Sequence, residues 1–193
     1  MKGAYYMDNN ITYFDCAGVE NTEKTLELTK KRALELNIKT IVLASTHGYT
    51  ALEAAKMFKG QKIELIAVSI SPTFSDVGWN MANEERLAIE QAGVKVLTTL
   101  HALADGVAEG FYGEHTPGTV MADTLRCFCQ GMKVAVEVAV MALEAGLADE
   151  GEEIIAIGGT GEGCDTAIVI RPAYARKVKD TRICEIICKP RVG

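Results

Sequence analysis

Residues 154–170 read IIAIGGTGEGCDTAIVI: an apolar run, four glycines within six positions, then a second apolar run. Many proteins hold a phosphate on a glycine-rich loop that follows a hydrophobic strand, so the type of loop bears on both fold and function. The dinucleotide fingerprint requires G-x-G-x-x-G leading into a helix whose N-terminus faces the pyrophosphate. Gly159 and Gly161 match its first two glycines, but Cys164 stands at the third, and Ala167-Ile168-Val169-Ile170 before Arg171-Pro172 reads as a strand. The Walker pattern fails as well, because no Lys-Ser or Lys-Thr follows the glycines. A strand, a glycine loop and a second strand remain. The loop is either an anion cradle or a wide hairpin whose glycines supply positive φ.

Working outward, 193 residues suffice for one domain with a three-layer core. A net charge of −6 argues against nucleic acid, which needs a basic face to displace counterions, so any phosphate must be held by local dipoles. The opening MKGAYYMDNN has no apolar signal-peptide core, and no apolar run approaches the ~18 residues of a membrane span. Six cysteines in such a chain read as reduced thiols of a cytoplasmic protein, most of them buried packing residues. Cys127 and Cys129 are expected to splay on a helix, and Cys184 and Cys188 to share one face of a strand.

Helical spacing extends over 21–36, with Asn21 or Thr22 as the cap, and strands are expected at 40–44, 63–70 and 94–98. Helices are expected at 50–59 and 83–92. Residues 99–118 read as a long loop with one short helix, and 119–145 as one mostly buried helix closed near Gly146. The 154–170 stretch supplies the fourth and fifth strands, and 183–188 a short sixth. Alternating strands and helices specify an α/β sandwich with a largely parallel sheet. The short connection between the fourth and fifth strands excludes a parallel crossover and makes the fifth antiparallel.

A second loop lies within IVLASTHGYTALEAAKMF. Ser45 and Thr46 leave the end of a strand, Gly48 permits a tight turn, and Thr50-Ala51 opens a helix. Backbone N–H groups, hydroxyls and the positive helix end then converge where a phosphate monoester would sit. The alternative is ordinary N-capping by Thr50 with turn-forming hydroxyl residues.

The segment STHGYTALEAAKMFKGQKIELIAVSIS resembles part of the pyruvate kinase C-terminal domain, and GEEIIAIGGTGEGCDTAIVIRPA resembles that domain's last strand, glycine loop and antiparallel strand. The chain is similar to stand-alone proteins of the pyruvate kinase alpha/beta domain family. The shared pattern comprises Phe14, Ala17-Gly18 and Asn21-Thr22, the S-T-x-G-x-T-A loop at 45–51, G-x-K-V-A-x-E at 131–137, and G-G-T-G-x-G-x-D-T-A at 158–167.

The resemblance implies a three-layer α/β/α fold with about five strands in the order 3-2-1-4-5, the last antiparallel. In that order the loops after strands one and four flank the switch point where open α/β sheets form their crevice. The resemblance also implies flavin mononucleotide (FMN) as cofactor. The expected ligand-binding residues are Ser45, Thr46, Gly48, Tyr49, Thr50 and Ala51 in the first loop. Gly158, Gly159, Thr160, Gly161, Gly163, Asp165 and Thr166 are expected in the second, with Phe14 and Asn21 from the opening segment. Asp165 or Thr166 would meet a ribityl or sugar hydroxyl, and Phe14, Phe74, Trp79 or Tyr112 would stack on a ring.

Pyruvate kinase activity is not implied, since that enzyme's catalytic groups lie in its barrel domain. Three classes stay open: a binding protein for a phosphorylated small molecule, a flavin-dependent oxidoreductase using His47, His101, His115 or Cys164, and a structural module using neither loop. A sensor of a sugar phosphate is a variant of the first. The apolar 119–145 run also suggests burial in a homo-oligomer.

Overall fold

A computed structural model describes residues 8–104, 106–113 and 115–192, so most of the opening MKGAYYMDNN stretch lies outside the described residues. Seven strands form one sheet: β1 (Thr12–Phe14), β2 (Thr40–Ala44), β3 (Glu64–Ser69), β4 (Lys95–Thr98), β5 (Ile154–Gly158), β6 (Thr166–Arg171) and β7 (Arg182–Pro190). The helices are α1 (Thr22–Leu36), α2 (Tyr49–Met57), α3 (Asn83–Gln91), α4 (Val107–Tyr112), α5 (Pro117–Arg126) and α6 (Gln130–Glu144).

The sheet order is β1-β7-β6-β5-β2-β3-β4. Its β4-β3-β2-β5-β6 portion is the expected 3-2-1-4-5 arrangement, with β5 and β6 antiparallel and directly bonded from Ile154↔Ile170 to Gly158↔Thr166. The sheet has seven strands rather than five because β7 adds to β6 and β1 adds in parallel to β7. A three-residue strand paired with the far end of the chain leaves no local periodicity to read.

Alternation along each strand divides the core. Ile41, Leu43, Leu65, Ala67, Ile155 and Ile157 pack with Leu26 of α1, Ala51 and Ala54 of α2 and Ile89 of α3. Val42, Ile66, Val68, Ala156 and Ile168 pack on the other face with Ala122 and Leu125 of α5 and Met132, Ala135, Val138 and Ala139 of α6. Each fully buried isoleucine in these layers contributes about 1.5–3 kcal/mol. The chain runs β2-α2-β3-α3-β4 on one face and returns by α5 and α6 on the other, so the path reverses between β2 and β5. The crevice forms beyond the carboxyl ends of those two strands.

The expected single helix over 119–145 is two helices. Cys129 stands between them in extended backbone (φ 175°, ψ 167°), and its Sγ accepts the Met132 N–H at 3.3 Å, capping α6. The break lets Gly131 come against Asp165 and Thr166: a Cβ there would lie 2.2 Å from Thr166 Oγ1. Cys129 is therefore a cap rather than a helix residue, while Cys127 follows the last turn of α5.

Three cysteines are buried (Cys129, Cys164, Cys188) and three exposed (Cys16, Cys127, Cys184), so the expectation that most are core residues holds for only half of them. Cys184 and Cys188 differ because β7 runs from an exposed start at 182–184 into a buried end at 187–190 and carries two register shifts against β6. Among the described residues, no helix is long and apolar enough to cross a membrane.

Candidate functional site

The β2–α2 connection has its local structure fixed before any ligand is considered. The Ser45 N–H donates to Val68 O at 3.0 Å, which carries the chain off the end of the sheet. The Ser45 Oγ then accepts the Ala51 N–H at 3.3 Å, spanning the loop and tying one of the first-turn N–H groups of α2. Gly48 sits at φ 93°, where a side chain is strained, and a Cβ would come 3.0 Å from Ile89 Cδ1 of α3. The loop is thereby pressed onto α3. His47 Nδ1 lies 3.3 Å from Glu85, whose carboxylate is held below its ordinary pKa chiefly by the Ala82 N–H and secondarily by His47.

A cavity of about 770 Å³ opens beside this loop, within the range typical of small-molecule sites. Ser45, Thr46, His47, Tyr49 and Thr50 line one end, at the positive end of α2. Gly159, Gly161 and Gly163 of the second loop line it too, so the two loops singled out in the sequence meet at one cavity. From that end it extends over an apolar wall made by Val68, Ile70, Val134, Val138 and Met141. The segments after β3 and β4 bring Phe74, Trp79 and His101 to the lining; Phe74 stacks on Trp79 with centroids 6.2 Å apart and meets the His101 ring at 5.6 Å.

Several residues expected at the site lie behind it. Asp165 is fully buried: its Oδ2 accepts the Gly18 N–H at 3.1 Å and its Oδ1 accepts the Thr166 hydroxyl at 2.8 Å. Asn21 donates through Nδ2 to Cys16 O at 2.9 Å and Gly18 O at 3.2 Å, closing the turn before α1. The Cys164 N–H donates to Thr22 Oγ1 at 3.1 Å. These bonds staple the opening segment to the glycine loop and fix its path. Gly158 is buried against α6, where a Cβ would lie 2.3 Å from Gly131 O. Gly48 and Ala51 shape the first loop without lining the cavity.

Thr160 does not line the cavity, yet its hydroxyl is buried with no hydrogen-bond partner among the described residues. Phe14 packs against the core from the edge strand β1, and Tyr112 is exposed on α4, so neither joins Phe74 and Trp79. Of the histidines, His47 and His101 line the cavity, whereas His115 is exposed elsewhere. Cys164 is buried away from the cavity lining, and burial pushes its thiol above the usual range.

The sequence reading missed the polar groups of α5 and α6. Arg126 and Gln130 line the cavity and bond each other, Arg126 Nε to Gln130 Oε1 at 2.9 Å. Lys133 and Glu137 line it as a buried ion pair, 5% and 2% exposed, and Glu137 Oε1 also accepts the Leu103 N–H at 3.1 Å. The available signal was an i,i+4 pair of opposite charges embedded in apolar residues, which a buried helix tolerates only when the charges meet.

The family model described as pyruvate kinase, alpha/beta domain, matches residues 23–170. A solved pyruvate kinase from Cryptosporidium parvum is similar at 18% identity, with 80% of this chain aligned, a TM-score of 0.40 and only 23% of that chain covered. The matched span runs from the first turn of α1 to the end of β6 and takes in both loops of the crevice. The chain belongs to the pyruvate kinase alpha/beta domain family.

Proposed function

We propose that the crevice binds a phosphorylated small molecule, FMN first among candidates, with its phosphate against the 45–50 loop. The observation that carries the proposal is the convergence on one cavity of a helix N-terminus, the hydroxyl residues Ser45, Thr46 and Thr50, and glycines 159, 161 and 163. The first N–H groups of a helix lack intrahelical partners and favour an anion. Ser45 Oγ spends a lone pair on the Ala51 N–H and keeps its own proton to donate.

The residues present fit FMN in three respects. A dianionic phosphate meets the dipole end, the apolar wall with Phe74 and Trp79 suits a planar ring, and polar atoms of Lys133 and Glu137 border that wall. When bound, FMN would supply electron-transfer chemistry; this chain's residues bind and orient it and exclude water. Ligand binding alone is proposed, without turnover.

Self-association accompanies the proposal, with a changed basis. The apolar residues of α6 are buried within one chain, whereas Val107, Phe111 and Tyr112 of α4 and Val120 of α5 are exposed. Light scattering that reads one chain mass across concentrations would remove that part. A cytoplasmic setting goes with it, since an oxidising compartment would leave exposed Cys16, Cys127 and Cys184 open to pairing between copies.

The test is the mass and absorption spectrum of small molecules released by denaturing the purified protein, followed by titration of the emptied protein with FMN. Release or saturable uptake of FMN is expected. A colourless protein that takes up neither FMN nor another phosphate ester overturns the proposal.

A further inference from the structure

Lys133 and Glu137 are the most deeply buried charged residues of the crevice, at 5% and 2% exposure, and they flank Val134 and Val138 of its apolar lining along α6. Burying two charges costs several kcal/mol per ion before their attraction returns it, and an aliphatic pair of similar volume would fill this helix face without that cost. The pair is also held in place. Glu137 accepts Lys133 Nζ on Oε2 and the Leu103 N–H on Oε1 at 3.1 Å, so the loop after β4 fixes the carboxylate and the carboxylate fixes the ammonium. Lys133 and Glu137 line the cavity together with Val134 and Val138 of the same helix.

An ammonium carries three donors, and Glu137 Oε2 takes one. The pair as a whole is close to neutral, which makes it a poor anchor for a phosphate dianion and a good directed donor to a carbonyl or ring-nitrogen acceptor. The phosphate has its own end at α2, on the other side of the switch point. What this lining can take is the polar edge of a planar heteroaromatic ring, with Val134, Val138, Met141 and the Phe74–Trp79 pair as its apolar contacts.

We infer that Lys133, held by Glu137, is the ring-edge recognition residue of this crevice and tunes the charge a bound ring can carry. The inference rests on the proposed FMN reading. For a flavin, uptake of two electrons and one proton leaves a ring anion, and a fixed ammonium at its edge binds that anion more tightly than the oxidised ring. Glu137 limits the effect by offsetting the ammonium. Removing each partner therefore acts in opposite directions, which a purely structural pair would not do.

The experiment uses the full chain loaded with FMN and titrated with dithionite, the electron source, against a reference dye, in the wild type, Lys133→Met and Glu137→Gln. Lys133→Met is expected to weaken binding of reduced relative to oxidised FMN about tenfold, lowering the midpoint potential by about 30 mV for a two-electron couple. Glu137→Gln, whose amide oxygen can still accept the Leu103 N–H, is expected to raise it by a similar amount. Should Lys133→Met fail to fold, Glu137→Gln alone decides. FMN bound with both potentials unchanged, or shifted in the same direction, overturns the assignment and leaves the FMN reading standing. A wild-type protein that does not take up FMN overturns both.

Discussion

The Gly18 N–H donates to Asp165 Oδ2 at 3.1 Å, joining positions 147 residues apart in sequence. An aspartate at the end of a glycine loop invites a ligand role, yet here both its oxygens are engaged within the chain, one by Gly18 and one by Thr166. Asp165→Asn keeps the shape but replaces a charged acceptor, and can turn a donor toward the Gly18 N–H. Hydrogen bonds to a charged group contribute about 1.5–3 kcal/mol, so urea unfolding should show a loss of that order. Unchanged stability would show that the opening segment is held by other means.

Gly131 carries a second prediction about the same joint. A Cβ would lie 2.2 Å from Thr166 Oγ1 and 2.6 Å from Asp165 Oδ1, neither of which belongs to a free side-chain end. Gly131→Ala should cost at least the ~1–3 kcal/mol of core overpacking, despite the better helix propensity of alanine. A Tm equal to or above that of the wild type would contradict the close approach of α6 to β6.

How much of this was legible beforehand follows from where each signal resides. The strands β2, β3, β5 and β6 are largely buried and read as continuous apolar runs between glycines and polar loops, so their positions followed from the sequence pattern, whereas their order in the sheet came from the family resemblance. Both crevice loops were legible for the same reason. The break at Cys127–Cys129 was not, because residues on both sides favour helix and the interruption is made by contacts with residues 165 and 166. Lys133 and Glu137 were not singled out beyond their family motif, because i,i+4 charges on a helix usually face water, and only the packing of α6 on the sheet reveals that these do not. Asp165 and Asn21 were assigned to the ligand by likeness of motif; their partners, Gly18 and Cys16, lie in a segment without periodic signal.

Gly48 tests the first loop. A valine there would hold a β-branched side chain at φ 93° with its Cβ 3.0 Å from Ile89 Cδ1, at a strain of about 1–3 kcal/mol. Gly48→Val is expected to lower affinity for FMN by about tenfold or more while changing affinity for riboflavin far less, as read by flavin fluorescence titration. Equal losses for both would place the effect outside phosphate binding.

The thiols give a pH signature. Burial pushes Cys164 up and Cys188 up to about 12, while an unfolded thiol ionises near pH 8.5. Below the unfolded value both states hold the proton and the full contribution is present; above it the unfolded chain releases protons that the fold retains, so stability falls as pH rises. Urea midpoints should therefore decline from about pH 8.5 upward, and Cys188→Ala should flatten the decline. At pH 8, a thiol-reactive chromogen should modify exposed Cys16, Cys127 and Cys184 in the native protein, and the buried Cys129, Cys164 and Cys188 only after unfolding. Rapid native modification of all six would contradict the burial.

The proposed phosphate grip of the 45–50 loop is tested most directly by comparing FMN with riboflavin, which differ only in the phosphate. Titrating the emptied protein and following flavin fluorescence, FMN should bind at least about tenfold more tightly, or roughly 1.4 kcal/mol, and added salt should narrow the gap. Equal affinities, or no binding of either, would contradict the account.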